Sequence, residues 1–144
     1  MVIAFTVVGR DDIDQFRSVA DDVFDSDLSA DTLQSFLTNE SHHMVIARAG
    51  DTIIGFVSAV DYIHPDKPRE MWINEVGVAK AWRGQQIAKK LVSKMLDHGR
   101  TIGCTEAWVL ADPDNVAANS LYRALAAKHD PEPTTAVMHT FKLI

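Results

Sequence analysis

The chain has 144 residues, of which 47% are hydrophobic and 24% charged, a balance typical of one folded globular domain that we take to span residues 1–144. Its formal net charge of −6 argues against nucleic acid as a partner, and its single cysteine, Cys104, excludes an internal disulfide and a cysteine-built zinc site. No apolar run approaches the ~20 residues that span a bilayer, and the N-terminus lacks the basic region of a secretory signal, so we expect a cytoplasmic protein without membrane contact.

The first part of the chain predicts one strand followed by two helices. Met1–Val8 is short, apolar and rich in β-branched residues, and it ends at Gly9, which predicts an edge strand. From Asp11 to Phe24, apolar residues recur at three- and four-residue spacing, which predicts an amphipathic helix with acidic residues at its N-terminus. A second, shorter helix is predicted to begin after Ser29 or Asp31.

The middle of the chain predicts three strands of a meander. His43–Ala49 and Thr52–Val60 are rich in β-forming residues and are separated by a glycine-containing turn, which predicts a hairpin. After a loop with two prolines, Glu70–Val78 predicts the third strand. Regular alternation along this strand would place Glu75 on the same face as Ile73, among apolar neighbours.

The last part predicts alternating helices and strands. They are a long amphipathic helix from Ile87 to Gly99 or Gly103, a strand at Thr105–Ala111, a helix at Asn115–Ala127 and a final strand at Thr135–Leu143. The complete order, β-α-α-β-β-β-α-β-α-β, predicts an α/β (α+β) fold with a mixed, mostly antiparallel sheet flanked by helices.

The passage from the third meander strand into the long helix carries the strongest chemical signal. The first N–H groups of a helix have no intrahelical acceptor and lie at the positive end of its dipole, so they can bind phosphate. Gly84 lets the backbone approach an anion, Ala88 keeps the first turn slim, and Arg83 adds positive charge. From these residues alone, an anion site and a plain strand–turn–helix with an exposed arginine are equally open.

The charges of the chain are unevenly distributed. Residues 1–40 hold nine acidic and two basic residues, whereas residues 83–100 hold five basic residues and one acidic residue. This distribution would suit an anion bound at one place and a cation at another, although solvated charged faces are the simpler alternative.

The same passage resembles a known phosphate-binding loop. Arg83-Gly84-Gln85-Gln86-Ile87-Ala88 is similar to the pyrophosphate loop with which the GCN5-related N-acetyltransferases (the GNAT superfamily) bind acyl-CoA, except that Gln86 replaces the usual second glycine. The motif from Asn115 to Tyr122 resembles the second half of the same signature, and the order of elements is similar throughout. Within the superfamily the chain is most similar to small aminoglycoside 3-N-acetyltransferases, through the stretches Trp72–Val78, Ala111-Asp112, Leu121-Tyr122 and Val137–Phe141.

The resemblance implies an acetyl-CoA-dependent N-acetyltransferase that transfers the acetyl group directly to a primary amine in a ternary complex. The residues that it implies for binding acetyl-CoA are Val76, Gly77, Val78, Arg83, Gly84, Gln85, Gln86, Ile87, Ala88, Asn115 and Tyr122. A backbone N–H near Val76 would polarise the thioester carbonyl, an effect commonly worth about 2.7–4 kcal/mol. Glu75 would take a proton from the ammonium group, directly or through water, and Tyr122 would protonate the departing thiolate.

The implied acceptor is a small cationic amine. The most specific form of this hypothesis is an aminoglycoside antibiotic acetylated at its 3-amino group, which would confer resistance. The loops where this fold places the acceptor hold Asp25, Asp27, Asp61, Tyr62, Asp112 and Asp114. Their carboxylates would raise the local concentration of a polyamine or an aminosugar. Each candidate has a structural alternative, since aspartates often form turns, Asn115 would cap a helix, and Glu75 or Tyr122 would be buried with a partner.

Two other functions stay open. The first is acetylation of a protein amine, a polyamine or a small metabolite, and the second is a sensor that binds acyl-CoA without transferring the acetyl group. An interaction module without CoA would leave the loop Arg83–Ala88 unexplained. No metal is predicted, because the six histidines lack metal-ligand spacing. The superfamily often forms homodimers, to which the last predicted strand could contribute.

Overall fold

The computed structural model describes residues 2–126 and 133–144, which contain five strands and three α-helices. The strands are β1 (Ile3–Val8), β2 (His42–Ala49), β3 (Thr52–Tyr62), β4 (Glu70–Val78) and β5 (Glu106–Val109). The helices are α1 (Ala30–Thr38), α2 (Ile87–Thr101) and α3 (Val116–Ala126). Short 3₁₀ turns form at Ile13–Phe16 and Lys80–Trp82. None of the described helices is long and apolar enough to cross a membrane.

The strands form one sheet in the order β1-β2-β3-β4-β5. The first four are antiparallel to their neighbours, whereas β5 runs parallel to β4 because α2 connects the two strands as a crossover. The predicted α/β (α+β) fold, a mixed and mostly antiparallel sheet flanked by helices, is therefore confirmed.

Apolar side chains cover both faces of the central strands. On one face, Leu91 and Met95 of α2 are fully buried against strand residues that include Val57. On the other face, Leu33 and Leu37 of α1 pack in a second buried cluster with residues of β2 and β3. Each fully buried aliphatic side chain contributes about 1.5–3 kcal/mol relative to an exposed one, so the two layers hold β2 and β3 firmly between them.

The predicted helix from Asp11 to Phe24 is wrong, because only Ile13–Phe16 form a 3₁₀ turn. Val19 instead forms a parallel bridge with Ile53 of β3, and the Ala20 N–H donates to the Ile53 carbonyl at 2.9 Å. The backbone of this segment therefore bonds to the sheet and not to itself, and this tertiary pairing overrides the amphipathic pattern.

The segment that follows crosses over β4 at Gly77. A Cβ atom on Gly77 would lie 2.3 Å from the carbonyl oxygen of Val23 and 2.8 Å from a ring carbon of Phe56, so only glycine leaves room for the crossing. Phe24 stacks on Phe56 with 4.2 Å between the ring centroids. Gly77 thus sets how closely residues 19–24 approach the sheet.

The predicted last strand, Thr135–Leu143, is not formed. Residues 133–144 have no regular secondary structure, and their apolar side chains are exposed, with Phe141 80% and Leu143 90% accessible. A strand requires a neighbour for its N–H and C=O groups, and no pairing with β5 is present in the described residues. The end predicted for the preceding helix, Ala127, lies outside the described residues.

Candidate active site

The loop between β4 and α2 exposes a run of backbone N–H groups at a helix N-terminus. The first bond of α2 runs from the Lys90 N–H to the Gln86 carbonyl at 3.1 Å, and in the described part of the chain the N–H groups from Gly84 to Lys89 donate to no other backbone group. The Arg83 Nε donates to the Val78 carbonyl at 3.0 Å, which ties the loop to the end of β4. Free N–H groups at the positive end of a helix dipole are suited to bind a phosphate.

Gln86 occupies a position that favours glycine. Its backbone is left-handed, with φ 67° and ψ 15°, and Gly84 nearby has φ 78°. A left-handed conformation costs a non-glycine residue about 1–2 kcal/mol, which explains the glycine usual at this place in the motif. The glutamine keeps the turn and its N–H groups, so the departure from the motif does not remove the anion site.

β5 is shorter than β4 and pairs only with its first half. The pairing joins Glu70–Ile73 to Glu106–Val109, and β4 then continues to Val78 without a strand on its β5 side among the described residues. The edge around Val76, Gly77 and Val78 therefore has backbone groups that can pair with an extended ligand. This edge leads directly into the loop described above.

A bulge in β4 decides the position of Glu75. Glu75 pairs with Ser58, but Ile73 pairs with Ala59, so Asn74 is an extra residue between the two pairs. Ile73 consequently packs in the cluster beneath α2, whereas Glu75 is exposed and lines a cleft on the opposite face. The prediction that Glu75 shares the apolar face of Ile73 is wrong, because regular alternation does not extend across a bulge.

The cleft has a volume of about 350 Å³ and lies between α1, the segment that precedes α1 and the sheet. It is lined by Phe24, Asp27, Leu28, Ser29, Thr32, Leu33, Phe36, His42, Met44, Phe56, Ser58, Asn74 and Glu75. Asp27 and Glu75 provide negative charge beside a largely aromatic and aliphatic wall. Such a cleft suits a compact cation with an apolar body.

Asp61 is not in the cleft, although it was predicted to face the acceptor. It is buried, and its carboxylate accepts hydrogen bonds from His43 Nε2 at 2.6 Å and from Arg69 Nη1. His98 Nε2 of α2 lies 3.0 Å from His43 Nδ1. Burial alone would raise the pKa of Asp61, but the hydrogen bonds and charges of His43 and Arg69 hold it below its ordinary value. Burial and the neighbouring His43 lower the pKa of His98, against the opposite effect of Asp61.

Tyr62 also lies outside the cleft. It is on the face of the sheet that holds the cleft, but at the far end of β3. Its hydroxyl accepts a hydrogen bond from Trp108 Nε1, and its ring meets the edge of His64. Trp108 in turn stacks on Trp72, with 5.6 Å between the ring centroids. Glu70 completes this group through a 2.5 Å contact with His64. Tyr62 therefore positions Trp108 and does not line the space predicted for the acceptor.

The remaining predicted aspartates are exposed and separate from the cleft lining. Asp25 lies in the segment before α1, and Asp112 and Asp114 lie in the turn before α3. The Asp112 carbonyl accepts from the Asn115 N–H at 3.0 Å, and Asn115 Oδ1 accepts from the Ala118 N–H at 3.0 Å. Asn115 thus caps α3, as its structural alternative predicted.

Tyr122 lies on α3 and packs, partly buried, against the cluster beneath α2. Burial raises the pKa of its hydroxyl, so the phenol stays protonated at neutral pH. Burial likewise raises the pKa of the Cys104 thiol, which keeps it protonated and makes it a poor nucleophile.

A second, larger groove of about 440 Å³ lies between β1 and α2, on the other face of the sheet. It is lined by Phe5, Val7, Lys90, Ser93, Lys94, Asp97, His98 and Thr101, none of which was predicted for binding or catalysis. Two of the five basic residues in 83–100 therefore border this groove. No group of three potential metal ligands occurs in residues 2–126 and 133–144.

Several cleft residues were not predicted from the sequence. Ser58 lies within the predicted strand Thr52–Val60 and was given no functional role, and His42 was considered only among the histidines that lack metal-ligand spacing. The available signal was their spacing, since positions 56 and 58 of β3, together with 42 and 44 of β2, share one face of the sheet.

Comparisons with known proteins identify the family and the fold. A family model described as the acetyltransferase (GNAT) family matches residues 10–126. The L-2,4-diaminobutyric acid acetyltransferase of Marinococcus halophilus is 29% identical over 96 residues, which are 67% of this chain and 55% of that protein. The N-alpha-acetyltransferase RimI of Mycobacterium tuberculosis is 29% identical over 89 residues, 62% of this chain and 54% of that protein. The chain spans about half the length of the curated relatives it matches.

Two solved structures show the same fold. An aminoglycoside acetyltransferase, meta-AAC0020, from an uncultured soil metagenomic sample in complex with trehalose gives a TM-score of 0.79 at 19% identity, over 99% of this chain and 96% of that one. The aminoglycoside N-acetyltransferase AAC(6')-Iy in complex with CoA gives a TM-score of 0.74 at 19% identity, with the same coverage.

Proposed function

The chain belongs to the acetyltransferase (GNAT) family, and on this premise we propose that it transfers an acetyl group from acetyl-CoA to a primary amine. The observation that carries the proposal is the bulge at Asn74. Because of it, Glu75 lines the cleft, while the following residues of β4 form an unpaired edge that leads into the loop Arg83–Ala88. An amine in the cleft and an extended ligand on that edge would meet beside Glu75.

Acetyl-CoA would bind along this edge and loop. The free N–H groups from Gly84 to Ala88, with the charge of Arg83, fit a diphosphate, and the backbone of Val76–Val78 fits an extended amide-containing arm. Since the Oδ1 of Asn115 caps α3, only its Nδ2 would be available to the arm.

The chemistry requires a neutral amine, so the acceptor must first lose a proton. Glu75 accepts that proton, directly or through water, since its side chain is exposed in the cleft. The N–H of Val76 donates to the thioester carbonyl, a contact worth about 2.7–4 kcal/mol in comparable sites. The new C–N bond forms as the C–S bond breaks, and Tyr122, whose burial-raised pKa keeps it protonated, gives its proton to the leaving sulfur. The nitrogen, which still holds two protons after the bond has formed, loses one of them to solvent to give the neutral amide, and the Tyr122 phenolate takes a proton back from solvent.

The acceptor would be a small cationic amine. Asp27 and Glu75 attract its charge, and the cleft volume of about 350 Å³ is at the low end for ligand sites, enough for a short diamine or one ring of an aminoglycoside. The curated relative from Marinococcus is named for L-2,4-diaminobutyric acid and the solved structures for aminoglycosides, both of which are cationic amines. Acetylation of an aminoglycoside 3-amino group is the most specific form of the proposal.

The proposal is tested by following CoA release from acetyl-CoA with a panel of acceptors. The panel holds L-2,4-diaminobutyrate, sisomicin, spermidine and an alanine-terminated peptide, the last because one relative is an N-alpha-acetyltransferase. We expect turnover with at least one small cation, and product analysis then gives the acetylated nitrogen. Tight CoA binding without turnover would favour the sensor, and no rise in Tm with acetyl-CoA would contradict the proposal as a whole.

We also propose that the protein forms a homodimer through residues 133–144. Val137, Phe141 and Leu143 are exposed, and they would share one face of the segment if it were extended, because side chains alternate along a strand. The outer edge of β5 has no strand partner in the described residues, so this segment of a second copy would extend the sheet there. Light scattering should give twice the chain mass for the wild type and the single chain mass for Phe141→Asp, and a monomeric wild type would contradict the dimer.

A further inference from the structure

Two polar side chains in the cleft wall have no role in the steps above. Ser58 is 4% exposed, its Oγ is shielded from solvent, and no hydrogen-bond partner is present for it or for the shielded Nδ1 of His42. In the described part of the chain, four side-chain atoms share this condition, and two of them belong to this one cleft. Buried polar groups are nearly always paired, so both atoms call for a partner that arrives with a ligand.

The sheet register makes Ser58 the cross-strand neighbour of Glu75. Side chains at directly opposite positions of an antiparallel pair have Cβ atoms about 4.5–5.5 Å apart. Both residues line the cleft, and rotation about the single χ1 torsion turns the serine hydroxyl toward an occupant. A hydroxyl and a carboxyl group therefore stand side by side where the amine would lie.

We propose that Ser58 and Glu75 together hold the nitrogen of the acceptor, an inference that rests on the proposed function. Once Glu75 has taken one proton from the ammonium group, the amine has two N–H groups and one lone pair. One N–H bonds to a carboxyl oxygen of Glu75 and the other to Oγ of Ser58. The lone pair is then left facing the thioester, so Ser58 selects the reactive orientation of a primary amine.

His42 extends the same subsite and narrows the class of acceptor. It pairs with Val60, two residues along β3 from Ser58, which places it diagonally from Ser58 on the same face. Its ring meets the edge of Phe36, with 5.5 Å between centroids. Rotation of the His42 ring would bring Nδ1 to the cleft, where it would bind a second polar group of the acceptor. The preferred substrate is therefore a primary amine with a hydroxyl, amino or carboxyl group a few bonds away.

The test compares Ser58→Ala with Ser93→Ala, a matched serine change in the groove on the other face of the sheet. With the most active acceptor of the panel, Ser58→Ala should lower kcat/KM about five- to tenfold, the effect of losing one hydrogen bond, and leave the Kd of acetyl-CoA unchanged. The loss should be smaller for the N-methyl derivative of that acceptor, which has only one N–H after deprotonation. Ser93→Ala should behave as the wild type in each assay.

Thermal stability separates this role from a structural one and needs no acceptor. Removing a hydroxyl that has no partner should leave the Tm of Ser58→Ala equal to or above that of the wild type. A clear fall in Tm, an unchanged kcat/KM, or equal losses for the primary and N-methyl amines would each overturn the proposal for Ser58. Absence of wild-type turnover with every acceptor would instead count against the proposed function.

Discussion

Substitution of Gly77 by alanine tests whether the segment before α1 shapes the cleft. The new Cβ atom would lie 2.3 Å from the Val23 carbonyl oxygen, and ordinary contact begins at 3.4 Å, so the segment must move by about 1 Å (3.4 minus 2.3). Overpacking of this kind costs about 1–3 kcal/mol of the free energy of unfolding. Phe24, the next residue after Val23, lines the cleft, so the same movement should raise the KM of the acceptor.

Urea unfolding and steady-state kinetics measure the two effects. Gly9→Ala is the matched control, because no atom lies within 4 Å of its added Cβ, and it should change the unfolding free energy by no more than about 0.5 kcal/mol. If Gly77→Ala were as stable as Gly9→Ala and had an unchanged acceptor KM, the close crossing of this segment over β4 would be refuted.

Three further predictions concern the carboxylates and one histidine. Glu75→Gln should lower kcat by about 10²–10⁴-fold without weakening acetyl-CoA binding. Glu70→Gln, on the same strand but outside the cleft, should have little effect on kcat, and an equal loss of kcat in the two variants would show that Glu75 is not the base. Asp61→Asn should lower the unfolding free energy by about 2–4 kcal/mol, which is less than the loss of a fully buried ion pair because Arg69 is partly exposed. The control Asp112→Asn should change it by no more than about 0.5 kcal/mol, and chemical denaturation of both variants measures the difference. Since the pKa of His98 is lowered in the folded state, the unfolded chain binds the proton first, and stability should fall as the pH drops through about 6.5, by at most about 1.4 kcal/mol per pH unit. His98→Gln should flatten that slope, and identical slopes in urea titrations would contradict the assignment.

Elements held by regular, local patterns were predictable from the sequence. The hairpin of β2 and β3 and the amphipathic α2 follow from their apolar spacing and from the glycine-containing turn between the strands. The loop Arg83–Ala88 was recognisable because its chemistry depends on consecutive backbone groups, which a short motif specifies. The resemblance to a family added Val76, Gly77 and Val78 of β4 as candidate acetyl-CoA-binding residues, which their composition alone does not indicate.

Features that depend on distant pairing were not predictable. The bulge at Asn74 follows from the register between β4 and β3, and because of it Glu75 lies on the face of the sheet opposite to Ile73. Residues 18–20 belong to a segment whose apolar residues recur at helical spacing, but their backbone forms hydrogen bonds with Ile53. Asp61 has the sequence context of a strand end, and only the fold brings His43 and Arg69 to it.

The most direct test of the central claim is a crystal structure of the protein with CoA. The diphosphate should lie within hydrogen-bonding distance of the N–H groups from Gly84 to Ala88, and the pantetheine arm should pair with β4 at Val76–Val78 so that its sulfur reaches the cleft beside Glu75. CoA bound in the groove between β1 and α2, or with its sulfur on the face of the sheet away from Glu75, would contradict it.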